Sequence, residues 1–147
     1  MKNIIRILIV DDESDIRDAL SRHFRFLEYD VDTAANGAEA QQKLEARKID
    51  IVISDIMMPE VDGIDLLRHI RKEYPMAHVI MMTGYVTQEN ILACMRLGAQ
   101  ICIFKPIEDM AELEEHVKIA EDALQRWKDV FVKLRKLGIS DNGLPNE

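Results

Sequence analysis

"DIVISDIMMPEVDG", residues 50–63, joins an apolar run to a lone carboxylate at Asp55, then a proline, two more acids and a glycine. Ile51, Val52 and Ile53 are β-branched and leave no polar face, the pattern of a strand covered on both sides. Pro59 and Gly63 then suit a chain that leaves the strand tightly. Asp62 is placed to accept from the free amides of a helix's first turn. The stretch therefore reads as a buried strand whose carboxyl end carries one acid, followed by a helix.

Four further apolar runs recur, at 4–10, 30–34, 78–82 and 100–104. Between them lie segments of helical period: Ile16, Leu20, Phe24 and Leu27; Ala40, Leu44 and Arg47; Ile64, Leu67 and Ile70; Ile91, Leu92 and Met95. Gly98, after Leu97, suits a left-handed helix stop. Alternation of strand and helix predicts a parallel sheet covered on both faces. Right-handed crossovers make it doubly wound, with ligands beyond the carboxyl ends of the strands.

The chain has 147 residues, 48% of them apolar, which fits one globular domain with a real core. A net charge of -8 with interleaved bases argues against a nucleic-acid surface. Arg6 interrupts the first apolar run and no small-residue cleavage site follows, so no signal peptide is expected. No run approaches the roughly 20 residues of a membrane helix. Cys94 and Cys102 lack metal-ligand spacing and read as inert core thiols of a protein in the reducing cytosol.

The expected strand ends carry the chemistry. The first stops at Asp11 and Asp12, the third at Asp55, the fourth at Thr83 before Gly84, and the fifth at Lys105 before Pro106. Singly, each is an ordinary turn or cap. Together they put three carboxylates, a hydroxyl and an ammonium on one edge. Two unit charges 4 Å apart repel by about 4 kcal/mol at an effective dielectric of 20, so the edge needs a cation beyond Lys105. An oxygen-rich pocket with few protein ligands matches Mg²⁺. Asp55, alone on the central strand, is the expected nucleophile toward phosphorus, carrying the product as an acyl phosphate. Metal, hydroxyl and ammonium would divide the phosphoryl oxygens, and the backbone carbonyl of Met57 would complete the metal shell.

With "ILIVDDE", "DIVISDIMMPEVDG", "VIMMTGY" and "GAQICIFKP" in this order, the chain resembles the receiver domains of two-component response regulators over residues 4–121. The resemblance implies an aspartyl phosphate at Asp55, Mg²⁺ held by Asp12 and Asp55 with Asp11 acting mostly through water, Thr83 as switch hydroxyl, and Lys105 on the phosphate. It also implies a Lys105–Pro106 bond that is often cis. One position departs from the pattern: Cys102 stands where receivers usually carry an aromatic switch ring. Tyr85 or Phe104 either takes part in that ring's place or is ordinary packing or rim, and Met57 and Tyr85 would flank the pocket and govern water access.

The last helical pattern runs on beyond what a receiver needs. Leu113, Val117, Ala120, Leu124, Trp127, Phe131 and Leu134 follow a 4-3-4-3-4-3 spacing, the signal of a coiled-coil seam. Unbroken from Asp109 to Leu137, the helix would be about 43 Å long and overhang the domain. Two outcomes stand: a symmetric homodimer along that seam, or a break near Gln125 and folding back on the same domain.

The expected fold is α/β, a doubly wound five-stranded parallel sheet of flavodoxin-like order 2-1-3-4-5 with helices on both faces and an extended C-terminal helix. Residues 1–121 form the receiver, 122–137 its helical extension and 138–147 a linker or frayed tail. The expected function is acceptance of a phosphoryl group from a sensor histidine kinase or phosphotransfer protein. Output would pass through the C-terminal helix or a further domain, because no basic recognition helix follows. Two rivals are a Mg²⁺-dependent phosphohydrolase and a phosphorylation-silent interaction module. The first lacks a second acid two residues after Asp55, where Met57 stands; against the second, every expected acid, hydroxyl and ammonium is present.

Overall fold

The computed structural model describes residues 4–85 and 87–138. Five strands and five helices alternate: β1 Arg6–Val10, α1 Ser14–Phe26, β2 Asp30–Ala34, α2 Gly37–Ala46, β3 Ile51–Asp55, α3 Gly63–Glu73, β4 His78–Thr83, α4 Gln88–Arg96, β5 Ile101–Phe104 and α5 Met110–Lys136. All strand pairs are parallel and the sheet order is β2-β1-β3-β4-β5, the doubly wound arrangement. β3 is central, and its register sets Asp55 beside Met82, one residue before Thr83.

Both sheet faces are dry, which is why the strands read as continuous apolar runs. On one face Leu8, Val10, Val52, Val79 and Met81 meet Ala40 and Leu44 of α2, Leu66, Leu67 and Ile70 of α3, and Cys94 of α4. On the other, Ile7, Ile9, Ile51, Ile53, Ile80 and Met82 meet Leu20 and Phe24 of α1 and four residues of α5. Each such side chain contributes about 1.5–3 kcal/mol when fully buried. Four of the five helix starts are capped by side chains: those of Asn36, Asp62, Thr87 and Asp109 accept from the amides of Glu39, Asp65, Asn90 and Ala111, while Glu13 before α1 makes no such bond. Gly98 takes the left-handed conformation after α4, at φ +81°.

Two expectations about helix faces need correction. In α4 the buried residue is Cys94, and Met95 is exposed. The helix is short and meets the core through Cys94, with Leu97 packed beside it. In α5, Leu113, Val117, Ala120 and Leu124 are buried in the chain's own core and are not free for a second molecule. A single helix's core stripe and a coiled-coil seam share the same spacing over a few turns, so periodicity alone does not separate them. The helix also does not break near Gln125; it continues to Lys136, about 40 Å in all, and Trp127, Phe131 and Leu134 are exposed, Phe131 beside a cavity also lined by Ile49 and Tyr74. The expected linker or tail, apart from Gly138, lies outside the described residues.

Candidate functional site

The carboxyl ends of β1, β3 and β5 converge. Lys105, just past β5, reaches inward and donates to Asp11 Oδ2 at 2.7 Å and Asp55 Oδ2 at 2.8 Å. Asp11 is fully buried and Asp55 nearly so. Burial raises the Asp11 carboxyl above its usual range despite the lysine and the Glu13 amide, which pull it down. Lys105 is raised in turn: burial acts against its charged form, but hydrogen bonds and charge from Asp11 and Asp55 outweigh it. The lysine is thus a fixed cation between two carboxylates.

Asp12 completes the cluster. Exposed where Asp11 is buried, it offers an oxygen such that one oxygen from each of Asp11, Asp12 and Asp55 lies within 4.8 Å of the others. A purely carboxylate set of this spread, open to solvent on one side, suits a hard divalent cation that keeps several waters.

Backbone groups supply what side-chain reading missed. The Met57 amide donates to Asp55 Oδ1 at 3.1 Å, and the Glu13 amide to Asp11 Oδ1 at 2.9 Å. The Arg17 guanidinium donates to the Asp11 carbonyl at 2.7 Å. Arg17, in the first turn of α1, carries a positive charge whose place beside a run of acids was the available signal; the amides have none in sequence. Behind the loop, the Gly63 amide returns to the Ile56 carbonyl at 2.8 Å, closing the turn that follows Asp55.

Thr83 is fully buried at the end of β4. Its hydroxyl donates to the Tyr85 carbonyl at 2.7 Å and accepts from the Tyr85 amide at 3.2 Å, so it is tied to its own loop. The Lys105–Pro106 peptide is cis. Cys102 is half-buried on β5 against the α3 and α4 side, its thiol pushed up to about 11, first by burial and then by Cys94 and Asp55, and so stays protonated. Tyr85, Phe104 and Met57 are exposed, at 70%, 65% and 52%.

A doubly wound sheet with an acid-lined pocket and an inward lysine at its carboxyl edge defines a phosphoacceptor signalling domain. The response regulator receiver domain family matches residues 7–118, and the chain belongs to that family. It is 38% identical over 125 residues to the regulatory protein AtoC of Escherichia coli, covering 85% of this chain and 26% of AtoC. With the alkaline phosphatase synthesis transcriptional regulatory protein PhoP of Bacillus subtilis it shares 35% over 101 residues, 69% of this chain and 42% of PhoP. The chain therefore spans well under half the length of these relatives. Among solved structures, a CheY-like receiver domain protein from Methanospirillum hungatei superposes with a TM-score of 0.81 at 33% identity, over 84% of this chain and 98% of that one. The response regulator TrrA of Thermotoga maritima, solved in complex with Mg²⁺-BeF, gives 0.72 at 36%, over 80% and 99%. The chain is a signalling module of two-component systems. No helix among the described residues is long and apolar enough to cross a membrane.

Proposed function

We propose that Asp55 accepts a phosphoryl group from the phosphohistidine of a sensor histidine kinase or phosphotransfer protein, and that this switches the output of the protein. The observation that carries the reading is the ammonium of Lys105 held between Asp11 and Asp55, with Asp12 beside them. A carboxylate oxygen of Asp55 bonds to phosphorus as the phosphorus–nitrogen bond of the donor breaks. The electron pair leaves on the imidazole nitrogen, which takes a proton from solvent. Met57 N–H and Lys105 orient the carboxylate, and Lys105 then turns to a phosphoryl oxygen. Asp11, Asp12, Asp55 and the Met57 carbonyl would hold Mg²⁺, which when bound would supply positive charge beside the phosphoryl oxygens. Chemistry beyond this is limited to loss of the same phosphoryl group to water, with exposed Met57 and Tyr85 at the pocket rim controlling its access.

The switch is Thr83. Its hydroxyl exchanges the Tyr85 carbonyl for a phosphoryl oxygen, which frees the loop between β4 and α4. Pro106 holds the lysine-bearing turn. With Cys102 in place of an aromatic ring, and Tyr85 and Phe104 already in solvent, the response is carried by the loop and α4 and needs no ring swinging inward.

Residues 1–121 form the phosphoacceptor unit, 122–137 its helical extension and 138–147 a linker or tail, and the protein acts in the cytoplasm, with α5 of two copies associating. The test is intact mass after acetyl phosphate with Mg²⁺. Wild type gains one phosphoryl group and Asp55→Asn gains none; equal labelling of the two removes Asp55 as the acceptor.

A further inference from the structure

The charges of α5 are segregated along its length. Residues 110–122 carry five acids offset by Lys118 alone, a net of -4, and residues 123–137 carry five bases offset by Asp129 alone, a net of +4. The first half is buried on the domain through Leu113, Val117 and Ala120, and the second runs past the last buried residue, Leu124, toward an exposed tip. A second property runs across both halves. Ile119, Ala123, Trp127, Val130, Leu134 and Leu137 follow at steps of four, four, three, four and three, a stripe distinct from the one buried against the sheet. None of the six is fully buried, and Trp127, at its centre, is 54% exposed. An apolar stripe of this length on an isolated helix calls for a partner.

We infer that α5 pairs antiparallel with α5 of a second copy along this stripe, the basic tip of each projecting half, Lys133, Arg135 and Lys136, lying beside Glu121 and Asp122 of the other. This rests on the helix-dimer reading above and fixes its direction and its seam. A parallel pair would set Asp122 beside the partner's Asp122 and Lys133 beside the partner's Lys133, whereas the antiparallel pair sets opposite signs against each other at both ends of the stripe. With the two-fold axis near Trp127, Asp122 falls beside the partner's Lys133 and Arg126 beside the partner's Asp129. In antiparallel helices like flanks meet, and Asp122 and Lys133 occupy the same flank of the stripe. Asp122 is available: its Lys118 contact, at 3.3 Å, joins two side chains that are each more than half exposed. Lys133 is exposed as well.

The direction is tested with complementary charge variants of the full chain, Asp122→Lys and Lys133→Glu, by sedimentation equilibrium with and without beryllofluoride and Mg²⁺. Both positions are exposed on the helix, and circular dichroism confirms the fold of each variant. Wild type is expected to dimerise. Each variant alone is expected to lose at least about tenfold in dimer affinity, since both symmetric pairs become like-charged. An equimolar mixture of the two restores dimerisation, because opposite charges then meet at both positions. A mixture that stays as dissociated as its components, or variants that dimerise like wild type, overturns the antiparallel direction. Wild type that remains monomeric in both conditions overturns the helix dimer itself, while phosphoryl transfer to Asp55, read by mass, stands or falls separately.

Discussion

Gly63 lies against the carbonyl of Asp55 so closely that a Cβ at position 63 would come within 2.0 Å of that oxygen and 2.7 Å of Ile56 Cα. The obstacle is backbone, which has nowhere to move without displacing the site's central carboxylate. Gly63→Ala is expected to destabilise by at least the 1–3 kcal/mol typical of overpacking, and to slow labelling by acetyl phosphate. Gly138→Ala is the contrast: nothing lies within 4 Å, so only its φ of +69° resists, and labelling should not change. Urea unfolding with parallel labelling measures both; normal stability in Gly63→Ala would contradict the packing.

Removing the lysine leaves Asp11 and Asp55 facing each other in a buried pocket. Lys105→Met is therefore expected to cost about 3 kcal/mol in metal-free buffer, the scale for breaking a buried ion pair. Mg²⁺ should raise the melting temperature of the variant more than that of wild type, since the ion replaces a missing charge. Equal gains in the two proteins would mean that the carboxylates do not share a cation site.

Thr83→Ala separates chemistry from response. The variant keeps Asp55, Lys105 and the acids, so phosphoryl incorporation persists. Amide NMR shifts in α4 on adding beryllofluoride and Mg²⁺ should shrink strongly, whereas Thr83→Ser keeps them. Full shifts in Thr83→Ala would place the switch elsewhere.

Tyr29 hydroxyl donates to Glu121 Oε2 at 2.8 Å, joining the α1–β2 connection to α5. Burial, then that hydrogen bond and the negative charge of Glu121, raise the phenol above its ordinary value near 10. The unfolded chain loses this proton first, so the contribution is fully present below about pH 10 and declines as pH rises toward the folded value. Tyr29→Phe should cost about 1 kcal/mol at pH 7 and show a shallower loss of stability above pH 10. Urea midpoints across that range decide it; parallel curves would remove the linkage.

The sheet was legible because burial on both faces leaves β1, β3 and β4 as apolar runs, and the side chains that matter stand where those runs end. Asp11, Asp12, Asp55, Thr83 and Lys105 were each visible as a polar residue closing such a run. The amides of Met57 and Glu13 were not, since a backbone donor has no residue signature. In α4 the helical period pointed to Met95, but a helix of nine residues sits on the core by one edge, and small Cys94 fits that contact. In α5 the pattern found a true core stripe and extended it into solvent, because spacing records which residues share a face and says nothing of what covers it.

The unbroken run of α5 makes it a lever. Its fulcrum is the segment from Leu113 to Leu124 clamped on the sheet, and the helix runs about 18 Å further, to Lys136. A tilt of ten degrees at the clamp would sweep the tip by roughly 3 Å over an arm of that length. Small repacking beneath Val117 and Ala120 thus becomes a displacement that whatever adjoins the tip can sense, with no hinge in between to absorb it.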